Sequence, residues 1–379
     1  MAITRITTAN AIADSSVQNI KMSNIVQSKN IIINGDMSIA QRATSVSGLT
    51  GAGYHTVDRF QQYIASAGTW TISQSTEVPT GQGFATSLKW DCTTANSSLS
   101  SSSLLILQQI FEGQNLQYLK KGTSSAESLT ASFWVKSNKT GTYICQFRDT
   151  DNSRSISQSY TISSANTWEK KIITIPGDTT GTLNNDNADS FRLLFFLGAG
   201  SNYSSGTLQT TWGSQVNANR AVGQVNLADS TSNEFYITGV QLEAGTSASD
   251  FEFLPVDVNL DRCERYFKIV LRSTGGDTTI CNGAMYDASQ FFGTFEIGKG
   301  MRTIPTMSAT SGTNFYGVVG NNATYSFNSL TFGGISNAGT SKCRIYVNSV
   351  SGKSQGQAVW IRFKDASSTS DFISASAEL

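Results

Sequence analysis

From residue 30 to residue 256 the chain consists of short runs in which apolar residues return at every second position, separated by clusters of Gly, Ser, Asn and Asp. Successive side chains of a strand point to opposite faces, so this spacing predicts antiparallel sheets with one buried face. SLTASFWVKS at 128–137 is the clearest instance: Leu129, Ala131, Phe133 and Val135 fall on one side, and Thr130, Ser132, Trp134 and Lys136 on the other. TWEKKIITIPG (167–177), SFRLLFFLGAG (190–200) and NEFYITGVQLEAG (233–245) are predicted strands of the same body. The turn signals between them have the spacing of a sandwich or jelly roll. Ile31 to Ile33 read as its first buried strand, and Asn34, Gly35 and Asp36 as the tight turn after it.

Helical texture is scarce. QNLQYLKKG at 114–122 predicts a turn or two ending at Gly122, and DVNLDRCERYFKIV at 257–270 places Leu260, Cys263 and Phe267 on one helical face. Beyond Pro255 and this short helix, strand texture returns in FFGTFEIG, TNFYGVVG, YSFNSLTFGG, CRIYVNSV and AVWIRFK, which predicts a smaller second β domain. Residues 1–29 set isolated Ile, Val and Met in a polar background and cannot bury much surface alone. They are either a floppy terminus or an anchor that orders against other copies or a larger assembly. The expected fold is therefore all-β: an extended N-terminal segment (1–29), a jelly-roll or β-sandwich body (30–256), and a C-terminal β tip domain with a short leading helix (257–379). No fixed-period repeat supports a parallel β-helix.

Composition narrows the function classes. Charged residues make up 14% of 379 positions and cancel, with 27 Lys and Arg against 27 Asp and Glu. Such a chain has no large field to attract nucleic acid or an anionic membrane. Neutral hydrogen-bonding residues, with 33 Gly and 4 Pro, suit a sheet-rich extracellular or virion surface. Cys92, Cys145, Cys263, Cys281 and Cys343 are scattered, odd in number and without a CxxC pair, so free, mostly buried thiols are expected. Apolar runs such as LLFFL at 193–197 are too short to span a bilayer, and no basic start precedes an apolar stretch. The expectation is a soluble chain made in a host cytoplasm without a signal peptide.

The candidates for chemistry are few. His55 is the single histidine, which excludes two-histidine metal motifs, and no GxSxG elbow accompanies it. Glycoside hydrolysis needs only two carboxylates close in space; Glu112, Glu169, Glu234, Glu243 and Glu252 are conceivable, and nothing in the spacing singles out a pair. NNDNADS at 184–190 collects oxygen ligands of the kind calcium prefers but lacks the Gly and distal Glu of a calcium loop, so an Asx-rich turn is the simpler reading. No cofactor is expected, calcium remaining the one open possibility. Sugars offer an apolar face and a ring of hydroxyls, which suits a flat aromatic beside fixed polar groups. Most Trp in a sandwich are core; Trp134, opposite the apolar face of its strand, and Trp212 and Tyr203, in loop-like text, are the glycan-binding candidates.

Several phrases resemble, in order, those of a family of bacteriophage tail-fibre and virion-surface proteins: NIIINGDMSIAQRATS (30–45), YHTVDRFQ (54–61), ASFWVKSNKTGTY (131–143), FYITGVQLEAGTSASDFEFLPVDVNLDRCERYF (235–267) and the closing DFISASAEL. The resemblance implies a jelly roll similar to carbohydrate-binding modules, followed by a β tip, assembled as a homotrimer on a phage particle. It also implies that AITRITTANAIADSSV is a virion-attachment start, in which Ile3, Ile6, Ile12, Val17 and Ile20 are the residues to make the contact. It supplies no catalytic motif. Within its phrases, Asp58 and Arg59 are expected to form a charge-assisted pair beside the core, Leu242 to enter the core, and Gly245 to permit the turn after it.

The expected function is a non-enzymatic phage structural protein, a trimeric tail fibre that attaches to tail or adaptor proteins and binds a host-surface glycan or receptor. The alternatives are a head-decoration or collar component without receptor binding, and a polysaccharide depolymerase using two carboxylates.

Overall fold

The computed structural model describes residues 29–273, 277–321, 323–333, 341–364 and 371–379. The attachment candidates Ile3, Ile6, Ile12, Val17 and Ile20 lie outside the described residues.

The predicted alternation becomes two six-stranded antiparallel sheets. In the first, β1 (Ser45–Leu49), β3 (Thr69–Ser75), β4 (Ser87–Thr94), β12 (Glu234–Ala244), β6 (Leu129–Ser137) and β9 (Glu169–Ile175) are neighbours in that order. In the second the order is β11 (Gly213–Ser214), β8 (Arg154–Ile162), β7 (Gly141–Asp149), β10 (Asp189–Ala199), β5 (Leu104–Glu112) and β2 (Gln61–Ala65). Leu129, Ala131, Phe133 and Val135 all enter the core between the sheets, where Phe133 meets Phe195 of β10 edge to face at 4.9 Å. Leu242 is fully buried, and Gly245 takes φ +120°, as its turn requires. All five cysteines are free and buried.

The tip has its own core of Phe291, Tyr316, Ile345, Ile361, Phe363 and Ile373. It joins a three-stranded sheet, β13 (Phe267–Arg272), β22 (Phe372–Ser376) and β16 (Thr306–Ala309), to a seven-stranded one. The seven run β18 (Ala323–Phe327), β17 (Tyr316–Gly320), β21 (Ala358–Phe363), β14 (Thr279–Met285), β15 (Phe291–Glu296), β20 (Lys342–Val347) and β19 (Thr331–Phe332).

Three local expectations need correction. The helix at Val256–Glu264 ends before Phe267, which opens β13, and its buried face carries Asn259 and Cys263, with Leu260 only half-buried. The face is polar because Asn259 caps another segment: its Oδ1 accepts from the Asn34 backbone N–H at 3.2 Å. Ile31 to Ile33 form no strand; Ile31 N–H donates to Leu242 O in one sheet (2.8 Å), and Ile33 exchanges two bonds with the Gln109 side chain of the other (2.8 and 2.9 Å). Left-handed φ values at Asn34 (62°) and Met37 (61°) then fold the chain back, and the Asn34 amide donates to Ile39 O (2.9 Å) and Asp58 O (3.0 Å). Such a knot leaves no continuous ladder for a strand.

The third correction concerns Asp58 and Arg59, which do not pair with each other. Asp58 accepts from the backbone and side chain of Gln41 (3.1 and 2.6 Å) and lies 3.7 Å from Arg42. The Arg59 guanidinium, 1% exposed, pairs with Glu378, donates to Ile110 O at 2.7 Å and stacks on Tyr266 at 3.5 Å. Both lie in the turn before β2, where Arg59 takes a left-handed φ of 71°, and each has its partner on a different segment. Beside them, fully buried Glu112 of β5 accepts two bonds from Arg265 (2.7 and 2.6 Å) and one from Tyr266. The phrases 30–45, 54–61, 235–267 and 371–379 thus meet at one buried polar joint between body and tip.

Candidate functional site

The outer face of the first sheet carries aromatic rings among charged groups. Register puts Tyr236 of β12 between Lys89 of β4 and Lys136 of β6, and both ammonium groups lie over its ring, at 5.6 and 4.6 Å. The Tyr236 hydroxyl donates to Glu234 at 2.8 Å, and Lys89 donates to the other oxygen of that carboxylate at 2.6 Å. Trp168 stands edge-on to Tyr236 at 6.2 Å and donates to Glu77, which also pairs with Lys136 at 3.0 Å. One residue pair along, Trp134 sits between Thr238 and Lys170, half-buried, with Ile172 exposed nearby on the same strand as Lys170.

This arrangement holds its charges firmly. Burial works to raise the Glu234 carboxyl, but hydrogen bonds from Lys89 and Tyr236 outweigh it and keep the group below its usual range. A hydrogen bond from Lys136 does the same for Glu77. Burial, aided by Glu234, pushes the Tyr236 hydroxyl up to about 12, so it stays a donor. Flat rings beside fixed donors and acceptors fit a sugar's apolar face and its hydroxyls.

Trp134, Tyr203 and Trp212 are not brought together. Tyr203 lies over the outer face of the second sheet, beside Arg220 and against the cluster of Leu104, Ile106, Ile144, Leu194 and Phe196. Trp212 packs against the main core, donates to Pro176 O at 2.8 Å and lies 6.3 Å from Phe191. Only Trp134 belongs to the face just described. Sequence pattern alone passed over Trp168, Tyr236 and the lysines around them. The available signal was that Tyr236 and Lys136 sit at outward positions of neighbouring predicted strands.

The carboxylates are engaged. Glu112 is enclosed in the joint, Glu169 accepts from Ser163 N–H, Ser164 N–H and Lys171, Glu243 from Gln241 and Ser249, and Glu252 from Asn30 N–H. Asp91 and Glu234, directly opposed in register, share Lys89. Burial pushes the half-buried His55 imidazole below its ordinary pKa, with Arg42 adding to the effect. In the NNDNADS turn, Asn187 exchanges bonds with Arg302 of the tip (2.7 and 2.6 Å), and no group of three His, Cys, Asp or Glu among the described residues is placed to hold a metal. A cavity of about 280 Å³ beside the joint is walled by Ile31, Ile33, Phe111 and Leu116, with Arg262 and Arg265 at its side. Arg265 is already committed to Glu112 there. Among the described residues no helix is long and apolar enough to cross a membrane.

No protein-family model matches the chain, and no curated protein matches it. Among solved structures it is similar to the enzymatically active domain of tailspike protein 4 of bacteriophage CBA120 (13% identity, 57% of this chain, 21% of that one, TM-score 0.29). The chain thus spans about a fifth of that tailspike chain. It is similar also to the CBM22-2 xylan-binding domain of Paenibacillus barcinonensis Xyn10C (18% identity, 49% and 91% covered, TM-score 0.26). A third is the family 11 carbohydrate-binding module of Lic26A-Cel5E of Clostridium thermocellum (14% identity, 57% and 96% covered, TM-score 0.25). None of these likenesses bears on ligand or activity.

Proposed function

We propose that the chain is a non-enzymatic virion-surface protein, a homotrimeric phage tail fibre whose jelly-roll body binds host-surface saccharide. The observation that supports the binding role is the grouping of Trp134, Trp168 and Tyr236 with Lys89, Lys136, Glu77 and Glu234 on one outer sheet face. The fibre reading rests on the ordered phrases from residue 30 to residue 379, and residues 1–29 are assigned the attachment role. Three copies per fibre and several fibres per particle raise the effective concentration, so each contact can be weak and adhesion still strong.

The test is binding of the full-length protein to host cells and to a saccharide panel. Trp134→Ala is expected to lower affinity about tenfold or more while leaving the thermal midpoint nearly unchanged; undiminished binding removes this face from the reading. Release of reducing ends from host polysaccharide, lost on changing Asp91 or Glu234, would replace adhesion by hydrolysis. A monomeric mass by light scattering would overturn the trimer, and particles that incorporate a chain lacking residues 1–29 would overturn the attachment role.

A further inference from the structure

The outer face of the second sheet is divided by the loop that runs from Gly200 to Val225. One half lies under that loop: Leu104, Ile106, Ile144, Leu194 and Phe196 are covered by Tyr203, Leu208 and Ala221. At the border stands Arg220, 6% exposed, its guanidinium 5.4 Å from the Phe196 ring and 5.6 Å from that of Tyr203, with Nε donating to Gln146 at 3.1 Å. Beyond this border, Arg148 of β7 and Arg192 of β10 oppose each other directly in register. Like charges directly opposite on one sheet face are destabilising.

Neutralisation here is incomplete. Arg192 pairs with Asp189, Nε donating at 2.9 Å. Arg148 makes no side-chain hydrogen bond or ion pair among the described residues, and its Nε is buried without a partner. Three guanidiniums therefore face one carboxylate, in a chain whose net charge is zero. Their mutual repulsion registers in the titration: burial, and then Arg192, push Arg148 below the usual arginine range. Burial, and then Arg148, bring Arg220 down to about 10. Next to the pair run Gln108 and Gln61, bonded to each other, and then Tyr63, 38% exposed. Tyr63 and Tyr203 are both close enough to act electrostatically on Arg220.

We propose that Arg148, Arg192 and Arg220 form a second saccharide site, selective for an acidic sugar residue whose carboxylate or phosphate takes the unfilled guanidinium donors. Planar forks of N–H groups match both anions bidentately. Tyr63 offers a face for the sugar ring, and the glutamine amides offer hydroxyl partners. The proposal rests on the reading that the body binds saccharides. It adds a separate place and a ligand class, and it explains why the sheet keeps two opposed arginines that cost it stability.

The experiment is titration calorimetry of the full-length protein with an oligogalacturonate, its carboxyl-reduced neutral counterpart, and a phosphorylated oligomannose beside its unphosphorylated form. At least one acidic probe is expected to bind about tenfold or more tightly than its neutral form, and more weakly as salt is raised. Arg148→Gln and Arg192→Gln should each remove that preference, while Trp134→Ala keeps it. Arg148→Gln should also raise the thermal midpoint slightly, because it relieves repulsion; a purely structural Arg148 would show a fall. Preference for the uronate or for the phosphate tells the two anions apart. Equal affinity for neutral and acidic forms, or an unchanged preference in Arg148→Gln, overturns the acidic site. If neutral saccharides bind and neither acidic one does, the acidic site alone falls; if no saccharide binds, the reading it rests on falls with it.

Discussion

The joint between body and tip and the outer faces of the body use the same residue types to opposite ends. At the joint, Arg59 and Glu378 are paired, Glu112 holds Arg265 and Tyr266, and Asp58 is held by Gln41, with Asp58, Arg59, Glu112 and Tyr266 themselves buried. On the sheet faces, Lys136 and Glu77 are partly solvated, and Arg148 has no partner at all among the described residues. A buried network of paired charges specifies one arrangement of its elements. A half-buried arginine at a sheet face with neither ion pair nor side-chain hydrogen bond has donors left for a ligand. Parts of the distinctive phrases therefore mark where the chain is held together, while Trp134, Lys136 and Tyr236 of the binding face occupy outward strand positions within two of the same phrases.

Removing one partner of a buried pair gives the largest expected effect. Arg59→Ala leaves the Glu378 carboxylate with Arg42 as its remaining ion-pair partner and removes the stack on Tyr266. It should cost about 3–5 kcal/mol in denaturant unfolding, whereas Lys136→Ala on the sheet face should cost less than about 1 kcal/mol. Comparable losses at the two places would erase the distinction.

The two buried carboxylates of the joint sharpen the comparison by titrating in opposite senses. Burial pushes Asp58 up to about 6 from an ordinary 3.8, despite its bonds from Gln41. Between those values the folded protein keeps a proton that the unfolded chain has lost. Its contribution is thus full below about 4 and is lost as pH rises through about 6, on the order of 3 kcal/mol. For Glu112 burial also acts upward, but Arg265 and Tyr266 outweigh it and hold the carboxyl below its ordinary 4.5. That contribution is full above the ordinary value and is lost as pH falls through the folded one. Unfolding free energy measured across pH should therefore lose its decline between about 4 and 6 in Asp58→Asn, and part of its acid collapse in Glu112→Gln. A wild-type curve flat from pH 4 to 6 would refute the Asp58 assignment.

What was legible in the sequence follows from the range over which each interaction acts. Alternation is local and binary, so β6, β9, β10 and β12 could be read directly, as could the outward side of Trp134. The knot at Asn34 could not, because three apolar isoleucines in a row look like a strand until their partners Leu242 and Gln109, far away in sequence, are known. The Asp58 and Arg59 pairing failed for the same reason: the partner of Arg59 lies 319 residues away. Arg148, Arg192 and Arg220 occupy three separate segments, and only the register of β7 with β10 brings the first two together.

The smallest of these effects separates the joint from an ordinary turn without touching any charge. Gly35 follows the left-handed Asn34 and lies so close to β12 that a Cβ would stand 2.0 Å from Val240 O. The obstacle is a backbone carbonyl that also accepts from the Asn30 amide at 3.2 Å, so it cannot swing away as a side chain would. Val240 N–H, moreover, donates to Gly35 O at 2.9 Å, which ties the two segments at that point. Gly51, by contrast, sits in the loop after β1, where an added Cβ would meet nothing within 4 Å. Gly35→Ala should therefore lower unfolding free energy by about 1–3 kcal/mol, and Gly51→Ala should stay within about 0.5 kcal/mol. Because neither change alters a sheet face, saccharide affinity at a temperature where both proteins remain folded should match the wild type in each. A loss of affinity in Gly35→Ala alone would mean that the joint shapes the binding surface as well as holding the domains, and the division between the two regions would have to be withdrawn.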